Sequence, residues 1–254
     1  MKELLQMQLN RMSADDIMKK DPDLAIIAVG SIEQHGPHLP VITDWRIATA
    51  LGEGVAEKTG GFLIPALPIS TCREQMGKKG TVWMNHDTFY HMMMDMVMSL
   101  KEQGFKKVCI LQCHGGIFIM TPLVRELNAR FNPELMVAKI DICDIFPALY
   151  KEGIMETNTE LHAGECETSL MMYLEPETVH MERAADYVPE APRSYLSYGS
   201  IFRVTPTGVW GEPTKASAEK GKRMLERAIE ISVAQMKEAF DFMSKKERFG
   251  YSQF

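Results

Sequence analysis

Leu24-Ala25-Ile26-Ile27-Ala28-Val29-Gly30-Ser31-Ile32-Glu33-Gln34-His35-Gly36-Pro37-His38-Leu39-Pro40, with Asp44 close behind, is the stretch on which the fold turns. Leu24 to Val29 is a continuous apolar run rich in β-branched residues, the pattern of a strand buried on both faces of a parallel sheet. Where the run stops, a carboxylate, two imidazoles, two glycines and two prolines crowd into eleven residues. Chain reversal alone does not need that chemistry. From Thr43, a candidate cap, a helical pattern runs over Asp44 to Lys58 and ends at Gly60-Gly61.

Working outward, the same alternation recurs. Phe62–Ile69 reads as a second buried strand, broken by Pro65 and Pro68. Lys107–Gln112 and Leu135–Ile142 read as a third and a fourth. Helical patterns fall between them, at Asp87–Gln103 and Thr121–Arg130, and another follows Glu165. Ser13 caps a short helix with acids in its first turn. A long amphipathic helix covers residues 215–245. The segment 184–211 has no clear period and is expected to be an ordered loop. Strands alternating with helices predict an α/β fold, a mostly parallel sheet with helices on both faces, in one domain spanning residues 1–254.

Composition sets outer limits. The 254 residues are 45% hydrophobic and 24% charged, with a formal charge of −6 and no long basic run. Nucleic acid is therefore not the expected partner, since phosphate binding needs clustered Lys and Arg. No apolar run approaches the roughly 20 residues that span a bilayer. The polar N-terminal stretch, residues 1–20, lacks the apolar middle of a signal peptide, so a cytoplasmic location is expected. Five cysteines follow neither a disulfide framework nor a zinc-ribbon spacing. Cys109 and Cys143 read as core. The methionines of Met92-Met93-Met94, Met96 and Met98 read as deformable core or a subunit contact.

Ligands of open α/β sheets bind outside the carboxyl ends of the strands. Two such ends carry metal-ligand residue types here. Glu33 and His35 alternate, so an extended chain points both the same way. Asp44 can fold back toward them from the next helix. His114 closes another strand and is followed by Gly115 and Gly116. A third segment supplies His162, Glu165 and Glu167. A set rich in oxygen donors with histidines suits Zn, Mn or Fe better than a structural cysteine site. Asp44 is a natural bridge between two ions. His38, between two prolines, reads as structural. The polar loop 70–80 is expected to line a pocket, with Ser70, Arg73 and Glu74 as candidate substrate contacts beside Gly115 and Gly116.

Gly-Ser-Ile-Glu33-Gln-His35-Gly-Pro-His-Leu-Pro with Asp44, then His114-Gly-Gly, then His162-Ala-Gly-x-x-Glu167-Thr-Ser, resembles the creatininase (creatinine amidohydrolase) family. Gly208-Val-Trp-Gly-Glu-Pro-Thr is similar to its C-terminal pattern. The resemblance implies a three-layer α/β/α fold, two divalent ions (Zn, Mn or Fe), hydrolysis of a C–N bond in a small cyclic amide or formamide, and a homohexamer or other homo-oligomer. It implies Glu33, His35, Asp44 and His114 as ligands, with Asp44 bridging. Creatininase itself has a metal-binding Glu where this chain has Gly116. The fifth ligand is therefore expected from Glu167, with Glu165 as the alternative. His162 is expected to move a proton. Cys143 and Asn158 stand where creatinine-enclosing tryptophans would align, so creatinine is not the expected substrate. Ring-opening C–C hydrolysis of a keto-inositol on the same scaffold, and a catalytically silent metal-binding homologue, are the alternatives.

Overall fold

A computed structural model describes residues 9–245. The reading of the N-terminal stretch at residues 1–8, and the last residues of the expected domain at 246–254, lie outside the described residues. Four parallel strands, β1 (Leu24–Val29), β2 (Phe62–Leu67), β3 (Lys107–Gln112) and β4 (Met136–Asp141), form one sheet in the order β2-β1-β3-β4. Among the described residues seven α-helices accompany them: α1 (Ala14–Lys20), α2 (Thr43–Thr59), α3 (His86–Glu102), α4 (Met120–Phe131), α5 (Phe146–Lys151), α6 (Glu165–Leu174) and α7 (Ala218–Ser244).

The period-2 geometry of the strands sorts the core into two layers. Leu24, Ile26 and Ala28 of β1, with Cys109 and Leu111 of β3, pack on Ile47, Leu51 and Val55 of α2, Leu170 of α6, and Met224 and Phe240 of α7. Ala25, Ile27 and Val29, with Val108 and Ile110, face the opposite way, against Phe89, Met93 and Val97 of α3 and Leu123 and Leu127 of α4. Every residue of β1 is buried because a helical layer covers each face.

Three local expectations change. The second strand is an edge strand and only Leu63 in it is buried. Pro65 lacks an N–H for the ladder and is tolerated there because no strand lies on that side. Thr43 is the first residue of α2 rather than its cap, and its hydroxyl donates to the Pro40 carbonyl. Cys143 is half-buried: it packs against the core and also lines a cavity. Ser13 does cap α1, accepting from Asp16 N–H, and Ser217 caps α7 by accepting from Lys220 N–H. The methionine-rich face of α3 packs in the core, with Met93 fully buried and Met92, Met94 and Met96 around it. Among the described residues no helix is long and apolar enough to cross a membrane.

Candidate metal centre

The sheet register brings the two histidine-bearing loops together. Val29 pairs with Gln112, and Cys113 N–H donates to the Val29 carbonyl at 2.8 Å, so β1 and β3 end side by side. Glu33 and His35 leave one end and His114 leaves the other. Gly30 lets α2 start directly against the end of β1, because a Cβ there would overlap the backbone of Asp44 and Trp45. This close approach carries Asp44, in the first turn of α2, into the space above the two loops. The third segment arrives from α6, whose first turn holds Glu167.

Asp44 sits between two donor sets. Its Oδ1 lies 3.0 Å from His35 Nε2, which is 3.6 Å from Glu167 Oε2. Its Oδ2 lies 3.1 Å from His114 Nδ1, which is 3.2 Å from Glu33 Oε2. Ser31 steadies the carboxylate by donating its hydroxyl to Oδ2 at 3.0 Å. The carbonyl oxygen of Glu33 lies 3.1 Å from His35 Nδ1, so an Nδ1–H donated there leaves Nε2 to face Asp44 and Glu167. Donor atoms of His35, Asp44 and Glu167, of Glu33, Glu74 and His114, and of Glu33, His35 and His162 gather in sets whose members lie within 4.8 Å of one another.

Unsatisfied atoms mark this cluster. Both Glu33 carboxylate oxygens, Glu74 Oε1 and His114 Nε2 are buried without a hydrogen bond. Buried polar groups normally find partners, and a knot of acceptors without donors fits a cation. Mixed imidazole and carboxylate donors suit Zn, Mn or Fe. The residues present therefore fit a divalent metal centre.

The charges agree. Burial pushes the Glu33 carboxyl up to about 7, although His114 pulls it down. Burial would also raise Asp44, but His35 and His114 together outweigh it and hold the carboxyl well below the usual range. Burial works against charge on His35, yet Asp44 and Glu167 lift it well above the ordinary imidazole value; Glu33 and Asp44 do the same for His114. Without an ion, protons supply the positive charge these carboxylates demand.

His162 has a different environment. Burial, followed by repulsion from His35, lowers it to about 4. Its Nε2 is 2.6 Å from the Gln34 carbonyl, and its Nδ1 faces Glu33 Oε1 at 3.6 Å. A backbone bridge to Trp210 fixes this segment, and Ala163 beside it takes a left-handed φ of 54°.

A cavity of about 460 Å³ opens onto the cluster. Glu74, His114, Gly115, Gly116, His162 and Glu167 all line it. Ser70 and Arg73 do not: Ser70 donates to the Gly30 carbonyl, and Arg73 donates to Asn85 with its guanidinium over the Trp83 ring. Glu165 does not reach the cluster. It accepts from the N–H groups of Glu156 and Thr157 and pairs with Lys220 at 2.7 Å. His38 is tied to the Thr168 hydroxyl at 3.0 Å, in keeping with a structural role.

Sequence reasoning missed Gln34, Gln75 and Arg193. The amide of Gln34 donates to Gln75 and lies 3.1 Å from His162 Nε2; Arg193 lines the cavity and donates to the Gly115 carbonyl. Gln34 stood in the quoted motif, between Glu33 and His35. Arg193 lay in the aperiodic segment, where nothing signalled its reach.

A parallel α/β sheet with helices on both faces and a His/Asp/Glu cluster outside its strand ends defines an α/β protein with a candidate metal centre. Residues 8–236 match the sequence profile of the creatininase (creatinine amidohydrolase) family, and the chain belongs to that family of hydrolases. It is 30% identical to the 3-dehydro-scyllo-inosose hydrolase of Thermotoga maritima, over 83% of this chain and 76% of the relative. It is 29% identical to the mycofactocin precursor peptide peptidase of Mycobacterium ulcerans, over 83% of each. A solved creatinine amidohydrolase candidate from Bacteroides fragilis superposes with a TM-score of 0.75 at 26% identity, covering 94% of this chain and 98% of that one. Creatininases solved in manganese and zinc–zinc forms share the fold, with TM-scores of 0.74 and 0.76 at 24% and 22% identity, each match covering 92% of this chain and 98% of the other.

Proposed function

We propose that the chain is a two-metal hydrolase that cleaves a C–N bond in a cyclic amide or formamide other than creatinine. The observation that carries the reading is Asp44, which turns one carboxylate oxygen toward His35 and Glu167 and the other toward His114 and Glu33. Glu33, Asp44 and His114 would hold one ion, and His35, Asp44 and Glu167 the other. Bound there, such a pair supplies an acidified water and Lewis acidity toward a carbonyl oxygen.

The chain's own groups supply the rest. His162, neutral with Nε2–H donated to the Gln34 carbonyl, takes a proton at Nδ1 and passes it to the leaving nitrogen. The Gln34 carbonyl at Nε2 and the Gln75 amide, 3.5 Å from Nδ1, hold that ring in place. Gly115 and Gly116 line the cavity beside His114. The reading includes a homo-oligomer, supported by the exposed Phe118, Tyr195 and Tyr198.

A second reading, ring-opening of a keto-inositol, is favoured by the Thermotoga relative and by the cavity wall. That wall carries Arg193, Ser194 and Ser197, and Phe118 is its one aromatic side chain. Metal-loaded protein assayed against lactams, formamides and keto-cyclitols separates the two. Amide or formamide turnover that a chelator abolishes is expected. Turnover confined to keto-cyclitols would replace the first reading with the second, and turnover that survives chelation would contradict metal dependence.

A further inference from the structure

The ligand sets above leave one carboxylate of the cluster, Glu74, unused. Glu74 belongs to a short 3-10 turn, Arg73–Gln75, in the connection between β2 and α3. Its chain neighbour Arg73 points outward, bonded to Asn85, while Glu74 points inward. Glu74 Oε1 stands 3.0 Å from His114 Nε2, yet neither atom makes a hydrogen bond. The two Glu33 oxygens nearby are unpartnered as well. These four orphaned atoms come from a single trio, Glu33, Glu74 and His114, whose donor atoms lie within 4.8 Å of one another. Glu33 is fully buried and His114 is 4% exposed. Four buried polar atoms side by side without a hydrogen bond are unfavourable, and a cation among them reverses that.

Space is the second line of evidence. Gly116 follows His114 by two residues, and a Cβ there would overlap both Glu74 Oε1 and His114 Nε2. The Thr71 hydroxyl donates to the Gly116 carbonyl and ties the Glu74 loop to this strand end. The missing side chain at 116 is what admits the carboxylate from 74.

We propose that Glu74 is a metal ligand in a set with Glu33 and His114, and that Gly116 provides the room for it. This rests on the metal-centre reading and adds a ligand to it. A role in positioning the His114 ring from outside the ligand set is the competing one.

Chelator competition and cobalt substitution separate the two. In Glu74→Ala, one of the two ions should bind at least about a hundredfold more weakly while the other is unchanged. The visible cobalt(II) bands should shift as a donor is lost. Gly116→Ala, with Glu74 intact, should weaken the same ion and shift the same bands, and a thermal melt checks that each variant is folded. Wild-type cobalt spectra in Glu74→Ala, whatever the change in affinity, would overturn the proposal in favour of positioning. A Gly116→Ala protein with wild-type binding would overturn the role of Gly116. The underlying reading fails separately, by a wild-type protein that takes up no metal at any loading.

Discussion

Two buried acidic clusters lie within one short helix of each other, and they are built on opposite principles. At the start of α6, Glu165 is fully buried, and its carboxylate accepts from two backbone N–H groups and pairs with Lys220. Two residues on, Glu167 turns the other way, toward His35 Nε2 at 3.6 Å, in a cluster where neither Glu33 oxygen has a hydrogen bond. Glu165 is complete without any added group and ties α6 to α7. The Glu33 cluster is incomplete as a set of protein groups. Buried charge with partners is architecture; buried charge without them is a place for a cation.

The sharpest way to break that contrast is at Asp44. Asp44→Ala should lower turnover by more than roughly a thousandfold, with a native far-UV spectrum, because both ligand sets share this side chain. Turnover within tenfold of wild type would remove Asp44 from the centre. His162 comes next. His162→Ala should lose roughly 10²–10⁴ in kcat, the usual contribution of a positioned proton carrier, while metal content measured by elemental analysis stays the same. Loss of metal in that variant would move His162 into the ligand set.

The architectural cluster should fail in the other way. Glu165→Ala leaves two backbone donors without their acceptor and Lys220 with Glu156 as its remaining carboxylate, and should cost about 3 kcal/mol in urea-induced unfolding. Per folded molecule, metal uptake should be unchanged; lost metal with intact stability would reverse the assignments of Glu165 and Glu167.

The smallest effect is on protons. His35 and His114 are raised well above the usual imidazole value by the carboxylates beside them, so they carry protons when no ion is bound. Loading must displace those protons, and apparent affinity should therefore rise with pH. Calorimetry in two buffers of different ionisation enthalpy should show proton release; equal heats in both would contradict it.

The layered fold was legible in the sequence because its signals are local. The continuous apolar runs Leu24–Val29 and Val108–Leu111 report burial directly. The edge position of β2 was not legible, since Phe62-Leu63-Ile64 reads alike whether or not a neighbour follows, and only Pro65 hinted at a free side. In the cluster, Glu33, His35, Asp44 and His114 stood out because strand ends and a helix start place them. Spacing along one helix could not separate Glu165 from Glu167. What separates them is Lys220, which is distant in sequence and reaches Glu165 from α7. Glu74 and Arg73 are neighbours in a loop without periodicity, so nothing local says which of them turns inward. Arg193 reaches the cavity from an aperiodic segment for the same reason.

The central claim is that the cluster outside β1 and β3 is a metal centre built around Asp44. Its most direct test is metal content per chain, by elemental analysis after equilibrium dialysis against zinc, manganese or iron(II), for wild type and Asp44→Ala side by side. Two ions per wild-type chain and none in the folded variant are expected. Equal metal content in the two proteins, or none in either, would contradict it.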